Sequence, residues 1–561
     1  MTRRTVLRAG AAAMAWLGWR GTSRAASTAS ATPTELPGPR IHLRIGETPV
    51  NLTGRERTAV TVNGTLPAPL LRWREGDTVT IDVENTLDED TSIHWHGLLL
   101  PANMDGVPGL SFKGIPARGT FQYRFTLRQS GTYWYHSHSA FQEQLGLYGP
   151  IVIEPRDPEP LPVAHDYVVM LSDWTDERPA TVLAHLKKDS GYYNFNKRTV
   201  VDFVRDVRRE GLDAAVQDRL AWGRMRMTPT DLADVTGYTY THLVNGHTSA
   251  QNWTGLFRRG ERIRLRFING SAASYYDVRI PGLRMTVVAA DGQPVTPVEV
   301  DEFRIAVAET YDVIVTPSDR DAYTIFAQAF DRTDFVRATL AEQPGLAAPV
   351  PPLDPRPLIS MADMGHGGHH GHAAHAAHGD SGMQSHPASE DGNPLIDMQT
   401  MTPSPRLADA GIGLRGNGRR VLTYADLRSA FEDPDGREPA RTIELHLTGH
   451  MERFAWSFDG LKFADAGPLE LTYGERVRIV LVNDTMMSHP IHLHGLWSDL
   501  EDEEGRFLVR KHTIDMPPGT RRSYRVTADA LGHWAYHCHI LYHMETGMFR
   551  VVRVTEPGRG A

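Results

Sequence analysis

The chain has 561 residues, 40% of them hydrophobic and 23% charged, with a formal net charge of −9. This is the balance of a soluble globular protein with room for three or four domains, and it excludes a basic surface for nucleic acid. A single cysteine excludes an intrachain disulfide, and metal ligation is another way to protect a thiolate.

At the N-terminus, Thr2-Arg3-Arg4-Thr5-Val6-Leu7-Arg8 is a twin-arginine pattern, followed by an apolar run from Ala9 to Trp19 and by Ala25-Ala26. Residues 1–30 read as a Tat export signal. The competing reading, a membrane anchor, needs about 20 apolar residues to cross a bilayer, and this run is shorter. The Tat translocon carries folded protein, so the expected location is a bacterial periplasm. No other stretch is apolar enough for a membrane span in the mature protein. Residues 27–40, rich in Ser, Thr and Pro, read as flexible.

Three segments then echo one another. Gly76-Asp77-Thr78-Val79-Thr80-Ile81-Asp82-Val83-Glu84-Asn85 is followed by Gly260-Glu261 running to Asn269, and by Gly474-Glu475 running to Asn483. Each has an acid after its Gly and an Asn nine positions on, with apolar and polar residues roughly alternating between. That alternation is the signature of a half-buried strand. The offsets are 184 (260 − 76) and 214 (474 − 260), so three related β domains are expected, with an insertion before the last. We expect domains over 38–160, 161–345 and 406–556, and a linker over 346–405. Residues 181–235 break the β pattern and read as helices or an excursion from the second domain.

Beyond its Asn, the first repeat reaches His94 and His96, in His-Trp-His-Gly, and the third reaches His492 and His494, in His-Leu-His-Gly. The second gives Val278 and Ile280 at those places. A later element also repeats. Gly131-Thr132-Tyr133-Trp134-Tyr135-His136-Ser137-His138 aligns with Gly532-His533-Trp534-Ala535-Tyr536-His537-Cys538-His539, and the middle domain offers Tyr323 to Ala329 without a histidine. Domains one and three thus supply two His-x-His pairs each. The simplest arrangement is a metal cluster between them, with the middle domain as a spacer.

Between domains two and three, Met361-Ala362-Asp363-Met364-Gly365-His366 continues through His369, His370, His372, His375, His378 and Met383 to His386. Such a low-complexity tract is expected to be disordered. Its imidazoles and thioethers suit weak binding of a soft metal ion such as copper, with Met favouring Cu(I); a plain flexible linker is the alternative. Met361, Met364, His366, His369, His370 and His372 are the accessory candidates, together with Met486 and Met487. The last two, like Met544, are either Cu(I) receivers or apolar packing.

Successive side chains of a strand point to opposite faces. His537 and His539 therefore point one way and Cys538 the other. Eight imidazoles in four pairs suffice for three ions, and the thiolate is free for a fourth. A soft set of two His, one Cys and a weak axial Met is that of a blue-copper site. His543 and Met548 follow the cysteine, and His489 stands just before His492. Two sites on one strand, at about 3.8 Å per Cα step, give a short covalent electron path through Cys538.

These four histidine segments resemble the multicopper oxidase signatures of laccases, ascorbate oxidase and bacterial cuprous oxidases. Closest in look is the bacterial copper-resistance protein A family. The resemblance rests on His94-Trp95-His96-Gly97-Leu98-Leu99-Leu100-Pro101-Ala102-Asn103-Met104-Asp105-Gly106-Val107-Pro108-Gly109, on Tyr192-Tyr193-Asn194-Phe195 and on Gly449-His450-Met451-Glu452-Arg453. It implies an all-β chain of three cupredoxin-like Greek-key barrel or sandwich domains, with four copper ions. Type 1 copper would take His489, Cys538, His543 and Met548; type 2 copper His94 and His492; the two type 3 coppers His96, His136, His138, His494, His537 and His539.

The implied reaction couples four one-electron oxidations to reduction of O2 to water, with Cu(I) or small phenolic donors as partners. Asp105 matches an acid that similar oxidases use as a proton donor; its plainer reading is a turn residue. Tyr542 stands where many bacterial relatives carry a glutamate, which puts that proton path in doubt and leaves Glu545 as a substitute. A periplasmic copper-sequestering protein with secondary laccase activity is the alternative function. A copper nitrite reductase would not need four histidine pairs.

Overall fold

The computed structural model describes residues 34–157, 162–366 and 383–558. The Tat segment and His369, His370, His372, His375 and His378 lie outside the described residues. No helix among the described residues is long and apolar enough to cross a membrane.

Six sheets form three β units, two sheets to each. In the first unit, Arg40–Asn51 runs parallel to Thr78–Asn85, which pairs antiparallel with Thr120–Thr126. The same three-strand motif recurs as His165–Trp174, Ile263–Asn269 and Thr310–Val315. It recurs again as Arg441–His450, Arg476–Asn483 and Arg521–Thr527. Period-2 alternation explains the first unit: Val79, Ile81 and Val83 face a core shared with Trp95, Tyr133 and Ile151 of the opposite sheet. Each such buried side chain contributes roughly 1.5–3 kcal/mol.

The repeated Asn has a structural cause. Asn85, Asn269 and Asn483 are each at most 1% exposed and end their strands. The carboxamide oxygen accepts the N–H two residues on, at 2.9 Å for Leu87, 3.1 Å for Ser271 and 2.9 Å for Thr485. The carboxamide nitrogen donates to carbonyls of the following loop and of a distant strand end: Ser274 and Ile305 for Asn269, Met487 and Met516 for Asn483. A buried Asn that satisfies an Asx turn and two carbonyls at once fixes the chain leading to the next strand. In units one and three that strand carries histidines.

Several expectations change. Strand Ile263–Asn269 is buried along its whole length rather than half-buried. Its outer face is covered by the first unit, where Arg266 bonds Thr132 at 2.9 Å, while Asp312 of the neighbouring strand in its own unit takes a second bond at 3.0 Å. The irregular stretch forms helices Pro179–Lys188, Val200–Glu210 and Leu212–Met225, the second opened by a Thr199/Asp202 capping box. Residues 406–440 add no strand to the third unit. They run along the middle one through the Val295–Ser429 and Glu302–Val421 bridges, and Arg441–His450 is the first strand of the third unit.

The tract expected to be disordered is instead packed at its described ends, 361–366 and 383–390. Met364 is fully buried, and its carbonyl accepts from Thr400 Oγ1 at 3.0 Å. His386 and Glu390 pack against the third unit. These flanks find buried partners there, which a composition-based reading cannot see.

Asn269→Ala, in the unit without histidine pairs, leaves the Ser274 and Ile305 carbonyls unpaired. It should lower stability by roughly 2–4 kcal/mol, read as an earlier urea transition.

Candidate metal centre

Cys538 ends strand Gly532–Cys538 and pairs with Ile491 of strand His489–Leu493. A single helical turn, Leu541–Glu545, then brings His543 back onto the thiol. Cys538 Sγ lies 3.6 Å from His489 Nδ1 and 3.7 Å from His543 Nδ1, and the two nitrogens are 3.0 Å apart. The centre of that triangle is about 2.0 Å from each corner, the length of a metal–imidazole bond. All three side chains and Met548 are fully buried. Burial pushes the Cys538 thiol well above its ordinary range, so a cation at the triangle is what would ionise it.

One imidazole of the triangle is held from behind, and the other is faced by a carboxylate. His489 Nε2 meets Thr485 Oγ1 at 2.7 Å. His543 Nε2 lies 2.9 Å from Asp234 Oδ2 without the alignment of a hydrogen bond. Outer partners of this kind fix which nitrogen faces the metal.

On the other face of the same strand, eight further imidazoles converge. The pairing His94↔His136 in the first unit and His492↔His537 in the third brings four of them level. His94 and His494 stack at 3.8 Å, and His96 and His492 at 3.7 Å, across the two units. The Nε2 atom of His537 is 3.0 Å from that of His494 and 3.3 Å from that of His138. Among the described residues, His94 Nε2, His136 Nε2, His492 Nε2 and His539 Nε2 are buried without a hydrogen-bond partner. His96 is turned round: its Nε2 meets Thr513 Oγ1 at 3.3 Å and its Nδ1 is the unpartnered atom. Orphaned nitrogens gathered in one place fit metal ligands, since buried polar atoms are otherwise paired.

The opposite nitrogens show how the rings are aimed. His94 Nδ1 donates to the Asp105 carbonyl at 2.9 Å, and His494 Nδ1 donates to Asp105 Oδ2 at 2.8 Å. His537 Nδ1 donates to the Cys538 carbonyl at 2.9 Å, and His492 Nδ1 to that of His512 at 2.5 Å. Asp105 therefore orients one ring from each unit. Gly106 beside it has φ +84°, and a Cβ there would lie 1.8 Å from the Ile93 carbonyl oxygen.

Three participants escaped the sequence reading. Glu143 Oε2 is 2.8 Å from His136 Nδ1, and its Oε1 is 4.0 Å from His539 Nδ1. Burial, with Asp173 nearby, pushes its carboxyl well up. Glu545 is exposed, so the buried acid beside the cluster is Glu143, while Tyr542 is buried against Phe141 at 6.1 Å. His512 Nδ1 lies 3.1 Å from His96 Nε2. Asp234 comes from the middle unit, which therefore does more than space the other two. A lone acid or histidine in a polar stretch carries no local signal; only the tertiary fold brings these three in.

Of the accessory candidates, Met364, Met486 and Met487 are buried in the core, Met361 and His366 are half-buried, and His369, His370 and His372 fall outside the described residues. Met544 is half-buried.

Multicopper oxidase family models match residues 44–158, 165–344 and 436–558. Copper resistance protein A of Pseudomonas syringae pv. tomato is 62% identical, covering 99% of both chains. Copper resistance protein A of Escherichia coli is 62% identical over 93% of each. Among solved structures, Fet3p, titled a multicopper oxidase that functions in iron import, aligns with a TM-score of 0.66 at 19% identity, over 93% of this chain and 91% of that one. At that identity the match speaks for the fold alone.

Burial and mutual repulsion hold His96, His136, His138, His489, His492, His494 and His539 well below the usual imidazole range, and His537 at about 4. The unfolded chain takes up protons below about pH 6.5, where these native rings do not. Stability is therefore full above that pH and falls as pH drops through it, by about 1.4 kcal/mol per pH unit for each such ring. Thermal unfolding of copper-free protein between about pH 7 and about pH 5 should show a steep loss, which bound copper moves to lower pH.

Proposed function

The chain belongs to the multicopper oxidase family, and from that premise we propose that this copper-dependent oxidoreductase oxidises Cu(I) at the expense of O2 in the periplasm. Its role would be copper resistance. The observation that carries this reading is the segment 537–539. Cys538 faces His489 and His543, while His537 and His539 face the imidazole cluster.

In this reading His489, Cys538, His543 and Met548 hold type 1 copper, and His94 and His492 hold type 2. His96, His136, His138, His494, His537 and His539 hold the type 3 pair. Copper held there would supply one-electron redox chemistry, and the overall reaction balances as four substrate Cu(I) oxidised to four Cu(II) for each O2 that takes four electrons and four protons to give two waters. Cys538 collects each electron and passes it along its own backbone to His537 and His539. Asp105, bonded to His494 and beside His94, keeps both rings aimed and is placed to hand protons inward.

A small donor is favoured over a bulky phenol by the cover on His543. Its ring is fully buried, with Asp234 on Nε2. The crevice between Asp234, Ala273, Met487 and Ile540 encloses about 20 Å³, room for a single water. A phenol cannot reach the ring edge without moving this cover. The second reading, copper sequestration, draws on the histidine and methionine tract, which the oxidase chemistry leaves unused.

An oxygen electrode separates the two. Protein with four coppers should consume O2 with Cu(I) as donor and lose this in Cys538→Ser, together with the intense thiolate–copper absorption. No O2 uptake by fully loaded protein would refute the enzyme reading. Turnover with a bulky phenol should be at least about tenfold slower than with Cu(I), equivalent to about 1.4 kcal/mol. Deleting 367–382 should weaken copper capture more than phenol turnover.

A further inference from the structure

One buried cluster of titratable side chains has no part in the centre described above. His386, Glu390, His446 and Asp484 meet inside the third unit. The side chains of Glu390 and Asp484 are 0% exposed and that of His446 1%, while that of His386 is 15% exposed and opens to solvent. His386 Nδ1 lies 3.2 Å from Glu390 Oε2 and 3.3 Å from Asp484 Oδ2. His446 Nδ1 lies 2.6 Å from Asp484 Oδ2 and 3.7 Å from Glu390 Oε1. Donors around a tetrahedral ion with bonds of about 2.0–2.1 Å sit about 3.3 Å apart, which both His386 contacts match; His446 Nδ1 and Asp484 Oδ2, hydrogen-bonded to each other at 2.6 Å, would part by about 0.7 Å to take an ion between them.

The outer hydrogen bonds aim both rings inward. His386 Nε2 donates to the Thr400 carbonyl at 3.1 Å, which leaves its Nδ1 lone pair toward the carboxylates. His446 Nε2 faces Glu444 Oε1 at 3.4 Å, leaving Nδ1 toward Asp484. Such a backing on the far nitrogen is what metal-ligating histidines have. His386 Nδ1 and Glu390 Oε1 are buried with no hydrogen-bond partner among the described residues.

Charge points the same way. Among the described residues, the ion pairs of Glu390 and Asp484 are with these two histidines only. Their other contacts are neutral: Gln399 Nε2 to Glu390 at 2.7 Å and the Thr400 N–H to Asp484 at 2.8 Å. Two buried carboxylates without lysine or arginine need about two positive charges close by. A divalent cation supplies both and leaves the imidazoles neutral. Two imidazolium protons are the competing solution. Asp484 lifts His386 above the usual range, and at His446 burial pulls down but Asp484 and Glu390 outweigh it. Protons and metal would then compete for one place.

We propose that His386, Glu390, His446 and Asp484 form a further metal site, for a divalent ion of the Cu2+ or Zn2+ class. Two imidazoles and two carboxylates suit that class rather than Cu(I), which prefers sulfur. The site adjoins the mononuclear centre. Asp484 opens the loop to His489, and Thr485, next in sequence, holds His489 Nε2 at 2.7 Å. It also follows closely on the histidine tract in sequence, so captured ions would be delivered nearby.

The test uses copper-loaded protein in which His369, His370, His372, His375 and His378 are replaced by Ser, titrated with Zn2+, which is redox-inert. One Zn2+ should bind per chain beyond the four coppers. His386→Ala and Glu390→Gln should each weaken it at least about tenfold, toward the 10–100-fold range of metal-site partners. An unchanged thiolate–copper absorption would show both variants folded. The proposal fails if the tract-substituted protein binds no Zn2+. It fails equally if Zn2+ binds with the same affinity in folded His386→Ala and Glu390→Gln.

Discussion

The centre depends on one constraint of covalent geometry: neighbouring side chains of a strand cannot share a face. At the end of strand Gly532–Cys538 that rule sends His537 and Cys538 to opposite sides, and His539, the next residue, returns beside His537 with ring centres 5.5 Å apart. The thiol and its two imidazole neighbours are thus separated by the strand and joined by its backbone. Every other candidate ligand is brought to this strand. Strand His489–Leu493 pairs with it and supplies His489 on the thiol side and His492 on the cluster side. The turn at Leu541–Glu545 folds His543 back, and the first unit contributes its own pairs across the interface.

Packing so many imidazoles into a dry interface is unfavourable without a cation. Burial holds most of them neutral, and each then carries a lone pair that water no longer satisfies. The structure meets this by fixing the opposite nitrogen of many rings on a carbonyl or carboxylate. Asp105, Glu143 and the carbonyls of Ser137, Cys538 and His512 do that work. The free nitrogens then face inward by default. Specificity for metal is thus built as much from acceptors behind the rings as from the rings.

The sequence shows what is local and repeats. The Gly-acid…Asn strands, the four His-x-His pairs and the ring around Cys538 could all be placed because spacing along a strand decides them. Glu143, Asp234 and His512 could not, because their partners are distant in sequence and no pattern links them. Alternation along Ile263–Asn269 suggests one wet face, yet a neighbouring unit covers it. Composition around 361–390 suggests disorder, yet Met364, His386 and Glu390 are anchored by buried partners in the third unit. In each case tertiary contact overrode a correct local reading.

The middle unit is the clearest instance. Its histidine pairs are absent, so the repeat alone makes it a spacer. In the fold, its Asp291 carboxylate accepts the N–H groups of His512 and Thr513, both at 3.1 Å, and pairs with the fully buried Lys511 at 3.0 Å. The His512 carbonyl is what holds His492 Nδ1. Asp234 of the same unit covers His543. A buried ion pair is weak evidence for stability, because desolvation offsets most of the attraction. Its use here is geometric. Lys511 keeps Asp291 charged and in place, Asp291 fixes the bend at His512 between strands Phe507–Lys511 and Thr513–Met516, and that bend aims an imidazole at the cluster. A unit that donates no ligand thereby sets the orientation of a ligand in one centre and the access to a ligand in the other.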